Sequence, residues 1–452
     1  MERLRVMLKL RDYQEQAVTF LYEHDRALVL ASVGAGKTCI ALTAMKEMVE
    51  NGIAKRWLVL APKRVCTDVW MQEKVKWNSP LSMAIAIGTP QKRLDAFMSK
   101  VDVVVFGYDN LQALPHLNFD GIVFDELSRL KNPSGKRYKA LLKQIDAIKF
   151  RWGLTGSFTS NGLEDVFGQS KIVDQSLLGR SKGAFLQQYF NCDNREYGQW
   201  SPRPDALPQV MDRIRPATFV LEAKEYKDKL PPLHTVEIRC DMPDRKAYEA
   251  MKKDFVAQFG DTQITALNAA VVTSKLHQLS AGFCYDSSSV ASHVPGKFIT
   301  TRTPVWNSTH KFDRLDELLE ENQHDPTLIF YAFDEEKQEL LRRYPHAQTL
   351  DDTNATERWN RGEIEILIAH PKSASHGLNL QGYANKIVFL SLPWSAELYE
   401  QAIGRIHRQG QKREVWCYIM ITNNSIDEKI WAALHDKQAV SDIAMRELRN
   451  VN

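Results

Sequence analysis

Continuous runs of apolar residues, many of them β-branched, recur towards both ends of the chain and are separated by helix-length segments. Strands that are apolar on both faces are typical of parallel sheets covered by helices on both sides, whereas half-exposed strands alternate. The runs lie at residues 26–32, 56–62, 83–88, 102–108, 121–126 and 151–157 and, nearer the C-terminus, at 327–333, 363–370, 386–393 and 414–421. This pattern predicts two doubly wound α/β domains, over residues 1–170 and 310–452.

The intervening residues 171–309 do not continue this alternation. Helix-forming stretches at 244–259 and 264–283 are preceded by proline-containing segments, and residues 286–309 are rich in Ser, Thr and Val. We therefore expect a mostly helical insertion that ends in a linker or a small hairpin. A chain of 452 residues is long enough for two or three domains, at roughly 150 residues per domain, so a cleft between domains is expected.

The composition excludes several classes of protein. Hydrophobic residues make up 44% and charged residues 25%, and no apolar run is long enough to cross a bilayer. The N-terminus MERLRVMLKLRDYQ interrupts its apolar residues with charges, so it lacks the apolar core of a secretory signal, and we expect a cytoplasmic protein. The six cysteines lie far apart without a C-x-x-C pair, which favours reduced thiols over a zinc site or disulfides. A net charge of +3 neither requires nor excludes a polyanionic partner.

The stretch ASVGAGKT at residues 31–38 lies between a predicted strand and a predicted helix. In that context a glycine-rich loop binds phosphates, because backbone N–H groups and the helix N-terminus both face the anion. Gly34 and Gly36 would allow the backbone to approach, Lys37 would pair with the β- and γ-phosphates, and the Thr38 hydroxyl would ligate Mg²⁺. The alternative is a loop that only connects a strand to a helix.

The stretch FDGIVFDELS favours the first interpretation. It places Asp125 and Glu126 at the carboxyl end of an apolar strand, which is where open α/β sheets bind their ligands. The first carboxylate can hold Mg²⁺, and the second can orient and deprotonate the attacking water. Two acids at the end of a buried strand are costly without a cation, so the pair predicts an ATP site that uses Mg²⁺.

With these two motifs in place, the chain resembles the Swi/Snf-like members of the superfamily-two helicases over nearly its whole length. The resemblance rests on LRDYQEQAVTFL (10–21), VLAPKRVCTDVWMQE (59–73), LTGSFTSNGLEDVF (154–167) and SASHGLNLQGYANKIVFLSLPWSAELYEQAIGRIHRQGQ (373–411). The end of the last segment and the compact length look most like the phage and prophage members, which implies a protein acting inside a bacterial host cell. Ala31 replaces the first glycine of the usual phosphate loop, and Leu127, Ser128 and Phe158 depart from residues that couple hydrolysis to nucleic acid in the family.

The resemblance implies a fold of two RecA-like lobes with ATP bound between them, and Gln14 would read adenine. It also implies that Gly377, Asn379 and Gln401 contribute to the ATP site from the second lobe. In GRIHRQGQ, Arg405 and Arg408 stand three residues apart, so on a helix they would share a face and could reach one phosphate together. Arginines of this kind neutralise charge in the transition state; the alternative is a solvated basic helix end.

Nucleic-acid contacts are less sharply indicated. Basic side chains after the second strand and polar residues in two later loops could bind backbone phosphates, although such residues are often simply solvated. The candidates are Lys63, Arg64, Thr155, Ser157, Ser373 and Ser375.

Three functions from different classes agree with these features. The first is an ATP-dependent translocase on double-stranded DNA, acting as a monomeric motor with a partner protein that supplies specificity, as the resemblance implies. The second is a helicase that separates strands of DNA or RNA with the same motor. The third is an ATP-gated clamp that binds nucleic acid without productive turnover, although a clamp has no need of Glu126 or the two arginines.

Overall fold

The structure, a computed structural model, describes residues 9–31, 34–116, 118–156, 158–159, 162–194, 198–221, 230–259, 262–266, 268–291, 298–374 and 378–449. The chain divides into two compact units. The described residues of the first unit are those up to 221, Leu378 and residues 436–449, and those of the second are 230–374 and 379–435. Among the described residues, no helix is both long and apolar enough to cross a membrane.

A parallel sheet forms the centre of the first unit. Its described strands follow the order β3-β4-β2-β5-β6-β1-β9, and each neighbouring pair is parallel. They are β1 (Arg26–Ala31), β2 (Trp57–Ala61), β3 (Met83–Ala86), β4 (Val103–Gly107), β5 (Gly121–Asp125), β6 (Phe150–Thr155) and β9 (Thr218–Leu221), with β7 (Phe190–Asn194) and β8 (Gln199–Pro202) forming a separate antiparallel pair.

Both faces of this sheet are covered. In β1, Leu28 and Leu30 belong to one buried apolar cluster, whereas Ala27, Val29 and Ala31 belong to another. Because successive strand residues point to opposite faces, the two clusters are the cores above and below the sheet. The helices of the unit are α1 (Asp12–Glu23), α2 (Lys37–Glu50), α3 (Trp70–Lys76), α4 (Pro90–Met98), α5 (Lys136–Leu142), α6 (Glu164–Val173), α7 (Gln175–Leu178), α8 (Lys182–Tyr189) and α9 (Ala206–Ile214).

The second unit contains a second parallel sheet, whose described strands follow the order β10-β19-β18-β15-β17-β16. They are β10 (Leu233–Cys240), β15 (Thr327–Phe330), β16 (Gln348–Thr349), β17 (Ile366–Ala369), β18 (Lys386–Phe389) and β19 (Val415–Thr422). Two antiparallel hairpins, β11 (Val256–Phe259) with β12 (Thr262–Thr265) and β13 (Phe283–Ala291) with β14 (Phe298–Trp306), precede β15. The helices are α10 (Lys246–Asp254), α11 (Ala269–Ser280), α12 (His310–Glu321), α13 (Asp334–Arg343), α14 (Ala355–Asn360), α15 (Pro371–Ala374), α16 (Ala396–Ile403) and the first part of α17 (Ile426–Arg449), whose residues from 436 belong to the first unit.

The predicted fold class, two doubly wound parallel-sheet lobes, is confirmed. All ten apolar runs contain a strand of one of the two parallel sheets. Residues 171–309, expected to be mostly helical, contribute a strand to each sheet as well, β9 to the first and β10 to the second. The division of the chain into segments 1–170, 171–309 and 310–452 stays a prediction.

A buried polar network joins several elements of the second unit. The Lys311 ammonium lies 2.7 Å from the Asp427 carboxylate, and both side chains are almost completely buried. Lys311 also donates to the Leu390 carbonyl oxygen, and Ser280 donates to Asp427. A buried charge needs such partners to be stable, so the network fixes the segment after β18 that leads into α16.

Two histidines beside this network predict an acid-sensitive second unit. Burial lowers the pKa of His277 and of His310 to about 4, although Asp427 raises both values. An unfolded histidine has a pKa of about 6.5, so between pH 6.5 and 4 the unfolded chain binds more protons and the free energy of unfolding falls as the pH falls.

We therefore expect His277→Phe to reduce the loss of stability on acidification. At pH 5 the buried histidine should cost the fold about 2 kcal/mol, which the variant would recover. The phenylalanine ring can keep the edge contacts with Phe333 and Trp394. The measurement is the melting temperature at pH 7.5 and pH 5, with His346→Gln, at a half-exposed position, as control. Equal losses in the wild type and in His277→Phe would contradict this prediction.

Candidate functional site

Two glycines after β1 have the backbone conformation that is expected in a phosphate-binding loop. Gly34 and Gly36 adopt φ values of 92° and 85°, in the left-handed region that glycine enters without steric cost. A Cβ on Gly36 would also lie 2.4 Å from the Gln14 side-chain nitrogen, so a larger residue would displace that side chain. Ala31, which stands in place of a glycine, is the last residue of β1 and is fully buried. The substitution therefore falls in the strand and leaves the turn to the two glycines.

Lys37 and Thr38 are the first two residues of α2. The Lys37 side chain is 9% exposed, and its ammonium donates to the Ala31 carbonyl oxygen at 2.7 Å. The lysine side chain thus turns back towards the end of β1, next to the positive N-terminus of a helix of 14 residues.

The side chain of Gln14, in α1, is hydrogen-bonded to this loop. Its side-chain oxygen accepts from the Arg11 backbone N–H at 3.0 Å, and its side-chain nitrogen donates to the Ala35 carbonyl oxygen at 3.2 Å. The glutamine is 5% exposed. The structure therefore joins Gln14 to the phosphate loop, and its reading of adenine stays a prediction.

Asp125 ends β5 as a buried carboxylate, 4% exposed. Trp70 donates its indole N–H to one carboxylate oxygen at 3.0 Å. Burial and, to a smaller extent, the negative charge of Glu126 raise the pKa of Asp125 to about 7, against the opposing effect of the positive charge of Lys37. Because Lys37 acts on this carboxylate, the two motifs come together in the folded first unit. A buried carboxylate with a raised pKa fits a divalent cation, which would offset the cost of its charge.

Glu126 has an uncommon backbone conformation, with φ of 57°. This region is unfavourable for residues other than glycine, and where it occurs it often marks functional sites. Its side chain is half-buried, and the buried Leu127 and Ser128 follow in a short 3₁₀ helix, Leu127–Leu130. The strained residue thus turns the chain sharply away from the sheet directly after the candidate Mg²⁺ ligand.

In the second unit the prediction that Arg405 and Arg408 share a helix face is wrong. Helix α16 ends at Ile403, so Arg405 and Arg408 lie in the turns that follow and do not share a helix face. Arg405 is 3% exposed and donates from Nε to the Gln401 carbonyl oxygen at 2.9 Å. The buried Gln401 side chain donates to Glu397, and Arg408 is half-buried. Gly404 caps the C-terminus of α16, and its backbone N–H donates to the Glu400 carbonyl oxygen.

Comparison with known proteins assigns the chain to a family. The sequence pattern of the SNF2-related domain matches residues 13–281, and that of the helicase conserved C-terminal domain matches residues 310–410. The chain belongs to the SNF2-related family. Membership confirms the resemblance to the Swi/Snf-like proteins and the prediction of an enzyme, a helicase-type ATPase that uses ATP.

Individual relatives agree with this assignment. Protein p41 of Acyrthosiphon pisum secondary endosymbiont phage 1 is 32% identical, and the alignment covers 97% of this chain and 98% of p41. The ATP-dependent helicase YqhH of Bacillus subtilis is 23% identical over 95% of this chain and 78% of its own length. The ISWI chromatin-remodeling complex ATPase ISW2 of Saccharomyces cerevisiae is 24% identical over 97% of this chain, but only 41% of ISW2 is covered. The similarity to p41 confirms the expected likeness to phage members of the SNF2-related family.

A solved structure also resembles the whole chain. It is titled as the Sulfolobus solfataricus SWI2/SNF2 ATPase core in complex with dsDNA, and it shares 19% sequence identity with this chain. The similarity covers 100% of this chain and 97% of that one, with a TM-score of 0.46.

The candidate nucleic-acid contacts of this SNF2-related ATPase lie in different environments. Lys63 is exposed directly after β2 and Arg64 is half-buried beside it, whereas Thr155 is fully buried at the end of β6. Ser373 donates its hydroxyl hydrogen to the His370 carbonyl oxygen at 2.8 Å. Asn379, a candidate for the ATP site, is exposed. Ser157, Ser375 and Gly377 lie outside the described residues, and all these roles stay predictions.

Trp70 is a residue of the SNF2-related site that sequence reasoning missed. It lies within the segment VLAPKRVCTDVWMQE, yet no spacing rule relates it to Asp125, which is 55 positions away. Its indole is fully buried in α3. The sequence around Trp70 carries no signal of this role, and only the fold, which brings α3 to the end of β5, gives the indole its partner.

Proposed function

We propose that this chain is an ATP-dependent translocase that acts on double-stranded DNA. The single observation that carries the proposal is the electrostatic interaction of Lys37, at the start of α2, with Asp125, at the carboxyl end of β5 and next to the strained Glu126, in a member of the SNF2-related family. The relative ISW2 is named as the ATPase of a chromatin-remodeling complex, which favours DNA over RNA as the partner.

The proposed mechanism uses groups of this chain in three roles. Lys37 and the N–H groups at the start of α2 bind the phosphates, and Thr38 and Asp125 would hold Mg²⁺, which neutralises charge on the phosphates when it is bound. Glu126 orients the attacking water and accepts its proton. Gln401, Arg405 and Arg408 of the second unit act on the γ-phosphate as charge develops there.

Movement along DNA would follow from these roles if each ATP cycle changes how the two units hold the strand. Lys63, Arg64, Thr155 and Ser373 are the described candidates for backbone contacts, and contacts to phosphates are independent of sequence. A sequence-independent motor agrees with a partner protein that supplies specificity.

The proposal is tested by comparing nucleic acids in one ATPase assay. We expect double-stranded DNA to stimulate hydrolysis more than single-stranded DNA or RNA of equal length, at one stated salt concentration because backbone binding depends strongly on salt. We also expect ATP-dependent displacement of the third strand of a triplex while the duplex stays intact. Lys37→Ala should lower the stimulated rate by about a hundredfold or more, since it removes a donor to the phosphates.

Two results would contradict the proposal in different ways. Separation of the duplex with stimulation by single strands would favour a strand-separating helicase. Stimulation by RNA alone would exclude DNA as the partner. Full stimulated hydrolysis by Lys37→Ala would remove the assignment of the phosphate loop itself.

A further inference from the structure

Tyr108 is a buried residue that the mechanism above does not use. It follows β4 directly and begins a 3₁₀ helix, Tyr108–Ala113. The residue is 3% exposed, and its hydroxyl has no hydrogen-bond partner among the described residues. A buried hydroxyl without a partner costs free energy relative to a phenylalanine of the same shape. Core packing alone therefore does not explain a tyrosine at this position.

The strand register places Tyr108 at the same edge of the sheet as the catalytic candidates. Gly107 pairs with Ala61 of β2, and the neighbouring residue of β2, Leu60, pairs with Phe124 of β5. Tyr108 and Asp125 thus continue two parallel strands that have one strand between them, both at their carboxyl ends. Tyr108 therefore lies at the same edge of the sheet as the segment that leaves β5.

Tyr108 and that segment contribute to the same buried apolar cluster of the first unit. The cluster contains Leu127 and Leu130, which follow Glu126, and Phe158, which follows β6. Burial raises the pKa of Tyr108 well above its ordinary value, the carboxylates of Asp125 and Glu126 raise it further, and Arg129 opposes them. The phenol therefore keeps its proton at neutral pH and lies in the field of both carboxylates, as a donor.

We infer that Tyr108 is a positioning residue for ATP hydrolysis, whose hydroxyl donates a hydrogen bond to the segment Glu126–Leu130 when nucleotide is bound and thereby fixes the orientation of Glu126. The inference rests on the proposed role of Glu126 and adds a residue to it. Two features support it independently of each other: a buried donor that lacks a partner among the described residues, and a strained residue, Glu126, at the start of a segment that belongs to the same buried cluster.

Tyr108→Phe is the direct test, because it removes one oxygen atom and leaves the ring in place. In the full-length protein with saturating double-stranded DNA, we expect kcat for ATP hydrolysis to fall about tenfold, as for the loss of one hydrogen bond made in the reacting state. The KM for ATP should change less than about twofold, because the hydroxyl does not touch ATP. The melting temperature without nucleotide should stay equal or rise, since the lost hydroxyl had no partner.

Tyr138→Phe is the matched control in the same buried cluster. The Tyr138 hydroxyl donates to the Gly168 carbonyl oxygen at 3.1 Å, so its loss should lower the melting temperature and leave kcat unchanged. Tyr108→Phe should therefore lower the rate but not the melting temperature, whereas Tyr138→Phe should lower the melting temperature but not the rate.

The inference is overturned if Tyr108→Phe keeps the wild-type kcat, or if its kcat falls together with a lower melting temperature and a raised KM, as expected for a purely structural residue. Failure of the proposed function looks different, because the wild type itself would then lack DNA-stimulated hydrolysis in the same assay. In that case the role of Tyr108 falls with the role of Glu126.

Discussion

Glu126→Gln should lower DNA-stimulated ATP hydrolysis by about a thousandfold and leave ATP binding intact, because a general base contributes roughly a hundred- to ten-thousandfold to such reactions. The amide has almost the same shape as the carboxylate but cannot accept the proton of the attacking water. The measurement pairs single-turnover hydrolysis with equilibrium binding of ATP. A defect in kcat without a defect in binding would identify a group that acts in the transition state.

The same variant has a second, independent readout. The negative charge of Glu126 raises the pKa of Asp125, so its removal should relieve repulsion between the two carboxylates and raise or preserve the melting temperature without nucleotide. Glu164→Gln, at a half-exposed residue paired with Lys182 in the same unit, is the control and should change neither rate nor binding. Hydrolysis by Glu126→Gln within about tenfold of the wild type would show that another group serves as the base.

The central strands of both sheets could be predicted from the sequence for a simple physical reason. A strand with a neighbour on each side and helices on both faces must be apolar throughout, and the runs that end in Ala31 and Asp125 have that pattern. β9 was missed because it has only four residues, too few for a recognisable apolar run. β10 alternates exposed and buried positions, so it carries no continuous apolar run, and the prolines before it favour a loop.

The parts of the candidate site that are formed by neighbours in the sequence could be predicted. The contacts between residues far apart in the sequence could not. The phosphate loop and the pair Asp125 and Glu126 are short local patterns, and the structure brings Lys37 to act on Asp125. The hydrogen bond that Trp70 donates to Asp125 joins residues 55 positions apart, and no spacing in the sequence encodes it. The strained φ of Glu126 is likewise set by its surroundings, since glutamate does not favour it by itself.

Replacing either arginine after α16 should also slow hydrolysis strongly. We expect Arg405→Ala and Arg408→Ala each to lower kcat by about a thousandfold or more, the effect of arginines that neutralise the transferred phosphoryl group. The two differ in their surroundings, because Arg405 is buried and donates to the Gln401 carbonyl oxygen. Arg405→Ala should therefore lower the melting temperature as well, whereas Arg408→Ala should do so less.

The double variant and a surface control decide whether the two arginines act together. If both act on one γ-phosphate, the double variant should lose little more than the worse single variant, since residues that act as a unit are not additive. Arg413→Ala, which breaks a surface ion pair with Asp325 in the same unit, should leave kcat unchanged. A normal kcat for Arg408→Ala, together with a low kcat for Arg405→Ala, would leave Arg405 as the single arginine at the phosphate. Such a result would agree with the positions of the two arginines in separate turns beyond the end of the helix. Normal rates for both would remove the second unit from the chemistry and leave catalysis to Lys37, Asp125 and Glu126.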